Sequence, residues 1–223
     1  LNLQVERGAI YGFLGPNGAG KSTTMRILTC YLPPSSGLVR IAGLDIMKDS
    51  LEVRQKIGYL PEHCPVYADM RVIEYLRFRG RIKGLGGRNL GRRVDGVLES
   101  CGLQDVRRSI IGHLSKGYRQ RLGLADSLIH EPEVLILDEP TIGLDPNQIR
   151  HIRGLIKSLA ETHTVLLSSH ILSEIEMVCD RVLIMRDGRI VASDTPGNLV
   201  GRLSGGVRIV AEIAGPRDMI LEK

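Results

Sequence analysis

Short blocks of branched and large apolar residues alternate along the chain with longer amphipathic stretches. Ile10 to Leu14, Ile57 to Leu60, Val134 to Leu137, Val165 to Leu167 and Val182 to Met185 read as strands, the central ones apolar on both faces. A strand that is hydrophobic on both sides needs helices above and below it, so the pattern predicts an α/β fold with a mostly parallel sheet flanked by helices. From Cys64 to His130 the alternation breaks. There Val72, Tyr75 and Leu76, then Val94, Val97, Leu98 and Cys101, recur at helical spacing around a Gly84-Leu85-Gly86-Gly87 connector, which reads as a helical insertion. Arg181 to Met185 and Arg189 to Ala192 flank Asp187-Gly188, a pair that favours a tight hairpin turn. The expected organisation is a single domain over residues 1–200, with a core of 1–63 and 131–200 and a helical subdomain of 64–130. The start of a C-terminal accessory segment, 201–223, follows and includes the strand-like Val207 to Ile213.

Composition narrows the class. The chain has 223 residues, of which 43% are hydrophobic and 25% charged, enough to bury one substantial core. Cys30, Cys64, Cys101 and Cys179 are far apart and form no C-x-x-C pair, so neither a zinc site nor a disulfide framework is expected. They read as reduced thiols of a cytoplasmic protein. No apolar run approaches the roughly 20 residues that a membrane-spanning helix requires. The first residues mix Leu, Asn, Gln, Glu and Arg, unlike a signal peptide, and the start at Leu1 reads as that of a fragment.

The net charge of +5 is unevenly placed. Between Arg71 and Asp126 there are 13 basic residues and 5 acidic ones, which leaves the remainder slightly acidic. Such a basic lobe suits nucleic acid, anionic lipid headgroups, an acidic partner loop, or simply a solvated surface.

Three segments carry chemistry. Gly15-Pro16-Asn17-Gly18-Ala19-Gly20-Lys21-Ser22-Thr23 follows a strand and opens a helix, the context in which a G-x-x-x-x-G-K-[ST] run cradles phosphates with backbone N–H groups and a helix N-terminus. Lys21 is placed to reach the β- and γ-phosphates, and the Ser22 hydroxyl to hold Mg²⁺. Val134 to Leu137 ends in Asp138-Glu139, two carboxylates that burial beside the phosphate loop would bring to the metal and the attacking water. Leu114-Ser115-Lys116-Gly117-Tyr118-Arg119-Gln120-Arg121 opens a helix with Ser115 as its N-cap.

In this order, with Gly143-Leu144-Asp145-Pro146 and a histidine, His170, after a later strand, the segments resemble the ATPases of the ABC (ATP-binding cassette) family. The resemblance covers nearly the whole chain. It implies a P-loop ATPase core, an inserted helical subdomain, and an antiparallel β subdomain that is incomplete here. It also implies ATP and Mg²⁺ as ligands, Asp138 acting on the metal, Glu139 as general base and His170 on the γ-phosphate. The Ser115 turn, with Lys116 and Gly117, and Asp145 would act in trans on ATP held by a second cassette.

Three departures from the family pattern stand out. Glu62 in Tyr59-Leu60-Pro61-Glu62 occupies the place of a usual glutamine that contacts metal or water. Lys116 and Tyr118 replace the commonest glycine and glutamine, while Ser115 and Gly117 remain. The resemblance implies an upstream aromatic residue that stacks on adenine, which the sequence from Leu1 does not supply, and Tyr11 reads as core, so weakened ATP affinity is expected of the sequence as it stands.

Glu62, Lys116 to Arg121 and Asp145 to Gln148 are similar to the ATPase subunits of bacterial exporters that keep ATPase and permease on separate chains, including the gliding-motility-associated group. That resemblance implies a second ATP-binding subunit, a transmembrane permease and a place on the cytoplasmic face of the membrane, with no direct nucleic-acid contact. It also implies a permease groove near Val66, Tyr67, Val72, Tyr75 and Phe78. The alternative reading is a soluble ABC ATPase acting on nucleic acid or the ribosome, which the basic lobe would serve.

Overall fold

The structure is a computed structural model, and it describes residues 1–203; the strand-like Val207 to Ile213 lies outside the described residues. Along the chain run β1 (Ile10–Leu14), α1 (Lys21–Leu28), β2 (Arg40–Ile41), β3 (Leu44–Asp45), α2 (Ser50–Lys56) and β4 (Ile57–Leu60). Three helices follow, α3 (Val72–Ile82), α4 (Gly87–Ser100) and α5 (Lys116–Leu128). The chain continues through β5 (Val134–Leu137), α6 (Pro146–Ala160), β6 (Thr164–Ser169), α7 (Leu172–Glu176), β7 (Arg181–Arg186), β8 (Arg189–Asp194) and α8 (Pro196–Leu203).

The main sheet has the order β4-β5-β6-β1-β7-β8, parallel except for the β7–β8 hairpin at one edge. Side-chain alternation divides its strands between two cores. Leu135, Leu137, Val165 and Leu167 point into the layer shared with the helical insertion, whereas Ile136, Leu166, Tyr11 and Phe13 point into the layer around Met25, Ile46 and Val53. Tyr11 is therefore a core residue, 2% exposed. At Gly12 a side chain would meet Ile175 and Cys179 at 2.7–2.8 Å, so glycine lets α7 lie close against β1. The small antiparallel pair β2–β3 turns through Ala42 and Gly43, both at positive φ. The cysteines are free, and burial pushes the thiols of Cys64, Cys101 and Cys179 up to about 12, which keeps them protonated.

Between β4 and β5 the helices α3, α4 and α5 pack on one another through Val72, Tyr75, Leu76, Leu90, Val94, Leu98, Leu122 and Leu124. Val72 and Tyr75, expected to line a groove, are instead fully buried because their helical spacing faces them inward. Tyr67 and Phe78 remain exposed, stacked edge to face with ring centroids 5.6 Å apart. Arg93 reaches across from α4 to donate to the carbonyls of Leu128 and Ile129 at 2.9 and 3.1 Å, satisfying acceptors that the end of α5 leaves open. Between α3 and α5, Asp126 accepts from Arg79 at 3.0 Å and lies 3.4 Å from Lys83 and from the Tyr75 hydroxyl.

Candidate active site

Because β1, β5 and β6 are adjacent and parallel, their carboxyl ends open on the same side, the usual place for a site in such sheets. The phosphate loop leaves β1 there. Gly18 and Gly20 take φ of 82° and 100°, and Gly20 is the residue from which α1 starts. At Gly15 any side chain would run into the Met185 carbonyl. The β7–β8 turn, with Asp187 and Gly188 both at positive φ, supports the loop through the Gly188 N–H, which donates to the Ala19 carbonyl at 3.0 Å.

Lys21 is buried, and its ammonium donates to the Gly15 and Pro16 carbonyls at 2.7 and 3.3 Å. Its Nζ also lies 3.5 Å from Glu139 Oε1. The other oxygen of Glu139 is 2.9 Å from His170 Nδ1. Glu139 sits in the left-handed region, φ 48°, an unfavourable conformation for a residue with a side chain and one that neighbours must hold. Its N–H donates to Ser168 Oγ at 2.9 Å, and Ser168 in turn donates to Asp138 Oδ1 at 2.6 Å. That same Asp138 oxygen accepts from Ser22 Oγ at 3.2 Å.

Pro16 to Thr23, Glu62, Glu139, Ile142 and His170 line one pocket of about 340 Å³. Among the described residues no cluster of three His, Cys, Asp or Glu side chains is set to cage a metal. The oxygens of Ser22 and Asp138 do suit magnesium, which takes few protein oxygens and fills its octahedron with phosphate and water.

Ser115, Lys116, Gly117 and Asp145 do not line this pocket. Ser115 caps α5, its Oγ accepting from the Tyr118 N–H at 3.3 Å, and Asp145 caps α6 by accepting from Asn147 and Gln148. The two turns pack together, with Gly117 against the Gln148 side chain and Lys116 against Gly143. Ser168, Thr141 and Glu174 belong to the site's surroundings and lie outside the motifs of the sequence. The paired hydroxyls Ser168-Ser169, ending an apolar strand just before His170, were the available signal.

Residues 1–142 match the family described as ABC transporter. The chain is 45% identical over 193 residues to the bacitracin transport ATP-binding protein BcrA of Bacillus licheniformis, covering 86% of this chain and 62% of that protein. It is 36% identical over 222 residues to the linearmycin resistance ATP-binding protein LnrL of Bacillus subtilis, covering 99% and 71%. The fold matches the bacterial ABC transporter cassette MJ0796, solved as a dimer, with a TM-score of 0.79 and 25% identity, covering 88% of this chain and 89% of that one. The chain thus spans about two thirds of the length of the two curated relatives.

Proposed function

The chain belongs to the ABC transporter family, and from that premise we propose that it binds and hydrolyses ATP to drive export through a permease carried on another polypeptide. The observation that carries the reading is the convergence of the phosphate loop, Glu139 and His170 on one pocket, with Asp138 hydrogen-bonded to Ser22 at its edge. Gly15 to Gly20 and the start of α1 receive the phosphates, Lys21 pairs with the terminal ones, and Thr23 follows in the first turn. Ser22 and Asp138 would hold magnesium, and Glu62, which lines the same pocket, would add an oxygen to it directly or through water. Bound there, the ion would neutralise charge on the β- and γ-phosphate oxygens. Glu139 takes the proton of the attacking water, and His170, 2.9 Å from it, fixes its orientation and would contact the γ-phosphate.

Ser115, Lys116, Gly117 and Asp145 do not line this chain's own pocket, which supports their serving the pocket of a second cassette. The dimer of the related cassette MJ0796 points the same way. Core 1–63 and 131–200 then holds nucleotide while helices of 64–130 present the Ser115 turn and meet the permease at the cytoplasmic face of the membrane. No helix among the described residues is long and apolar enough to cross a membrane itself. The names of the two relatives favour an antibiotic as cargo. The narrower kinship with gliding-motility-associated subunits rests on Glu62, Lys116 to Arg121 and Asp145 to Gln148.

Purification of the full-length protein from membranes tests the reading. The expected result is a co-purifying permease and magnesium-dependent ATP hydrolysis that requires Glu139. A complex that neither pairs its cassettes nor consumes ATP would overturn it.

A further inference from the structure

We propose that Glu174 is a positioning residue for hydrolysis: its carboxylate ties the turn after Glu139 to the end of β6 and so keeps His170 against Glu139. The inference rests on the functional reading above and goes beyond it in assigning a role outside the pocket. Glu174 Oε2 accepts from Thr141 Oγ1 at 2.5 Å and from Ser169 Oγ at 3.2 Å. Thr141 lies two residues after Glu139, and Ser169 immediately precedes His170. One carboxylate oxygen thus joins the two segments that carry the reacting pair.

The direction of each bond is fixed. A carboxylate only accepts, so Ser169 gives its proton to Glu174 while its Oγ accepts from the Ile171 N–H at 3.1 Å, and the backbone on both sides of His170 is held. Ser169 and Thr141 are buried, 1% and 6% exposed, where an unmade hydroxyl bond is costly. Among the described residues no Lys, Arg or His forms an ion pair with Glu174, and both hydroxyls donate to it. On the opposite side Ser168 joins the Glu139 N–H to Asp138. The Glu139–His170 contact therefore sits between two braces, and the left-handed backbone of Glu139 needs them. A carboxylate in the first turn of α7 also favours that helix electrostatically, but that effect alone would alter stability without altering the chemical step.

The test uses the full-length protein with ATP and magnesium, with Glu139→Gln assayed alongside. Glu174→Ala should lower kcat by about 10-fold to 10²-fold, the scale of a small misplacement of reacting groups, with KM for ATP little changed because the phosphate loop is untouched. Glu174→Gln keeps an oxygen that can accept both hydroxyls and should recover most of the loss. In a His170→Ala background, Glu174→Ala should have little further effect, since the contact it protects is gone. Thr141→Val provides a milder variant that removes one bond and should lower kcat in the same way should Glu174→Ala fail to fold.

Unchanged kcat, a loss expressed as raised KM, or a loss additive with His170→Ala would overturn the proposal. If Glu139→Gln abolishes turnover while Glu174→Ala does not, the positioning role fails alone. If Glu139→Gln is itself silent, the functional reading fails first.

Discussion

Lys21 Nζ lies 3.5 Å from Glu139 Oε1, with both side chains at least 93% buried. On the proposed reading, the ammonium that would pair with phosphate oxygens is shared with the carboxylate that would take the proton of the attacking water. Phosphate and Glu139 would then compete for one cation, and a buried charge left unpaired is costly. Glu139→Gln removes the competitor together with the base. The variant should bind ATP at least as tightly as the wild type while turnover falls by about 10²–10⁴-fold, as read by nucleotide titration and phosphate release. Unaltered turnover would remove Glu139 from its assigned role.

The polar cluster between α3 and α5 predicts a stability effect outside the pocket. Asp126 is the acceptor for Arg79, Lys83 and the Tyr75 hydroxyl, and burial pulls the Lys83 pKa down even with Asp126 beside it. Asp126→Ala strands two cations in a poorly solvated place and should cost about 3–5 kcal/mol in chemical denaturation. Loss of less than about 1 kcal/mol would mean that water replaces the carboxylate without penalty.

What the sequence disclosed tracks how locally each feature is encoded. Ile10–Leu14, Ile57–Leu60 and Val134–Leu137 form strands with the expected bounds, because continuous apolar runs are buried on both faces. β6 extends further than expected, to Thr164 and Ser169, since its polar ends are held by hydrogen bonds that hydropathy does not register. The two-residue strands β2 and β3 are too short for any period to show. The phosphate loop is contiguous and so was legible. The Ser168–Asp138 and Glu174–Thr141 bonds join segments about 30 residues apart, and a lone glutamate in a short helix looks like any solvated acid. Asp126 within the apolar run Leu122 to Leu128 could have been flagged, since an acid there demands buried partners.

His130 gives a pH dependence of definite sign. Burial, reinforced by nearby Lys83 and Arg93, pushes its pKa from 6.5 down to about 4, against the opposing pull of Asp126 and the Ile57 carbonyl 3.0 Å from Nε2. Between those two values the unfolded chain binds a proton that the folded one excludes, so stability falls as pH drops from about 6.5 towards 4. His130→Gln, which keeps a donor for the Ile57 carbonyl, should flatten that slope. Denaturation midpoints of both proteins across this range provide the check, and parallel curves would show that His130 does not titrate as described.

Ser115 separates a structural role from one between subunits. Its Oγ accepts from the Tyr118 N–H at 3.3 Å, an N-cap bond that uses a lone pair and leaves the hydroxyl proton free for an oxygen beyond this chain. Replacing a serine cap by alanine costs about 1 kcal/mol, whereas glycine costs only a few tenths. Both substitutions remove the hydroxyl. If Ser115 acts on phosphate held by a neighbouring cassette, Ser115→Ala and Ser115→Gly should lower ATP hydrolysis and ATP-dependent pairing to a similar extent, while only alanine lowers the melting temperature. Activity that follows stability instead, with glycine close to wild type, would confine Ser115 to capping its own helix and leave the second cassette without its proposed contact.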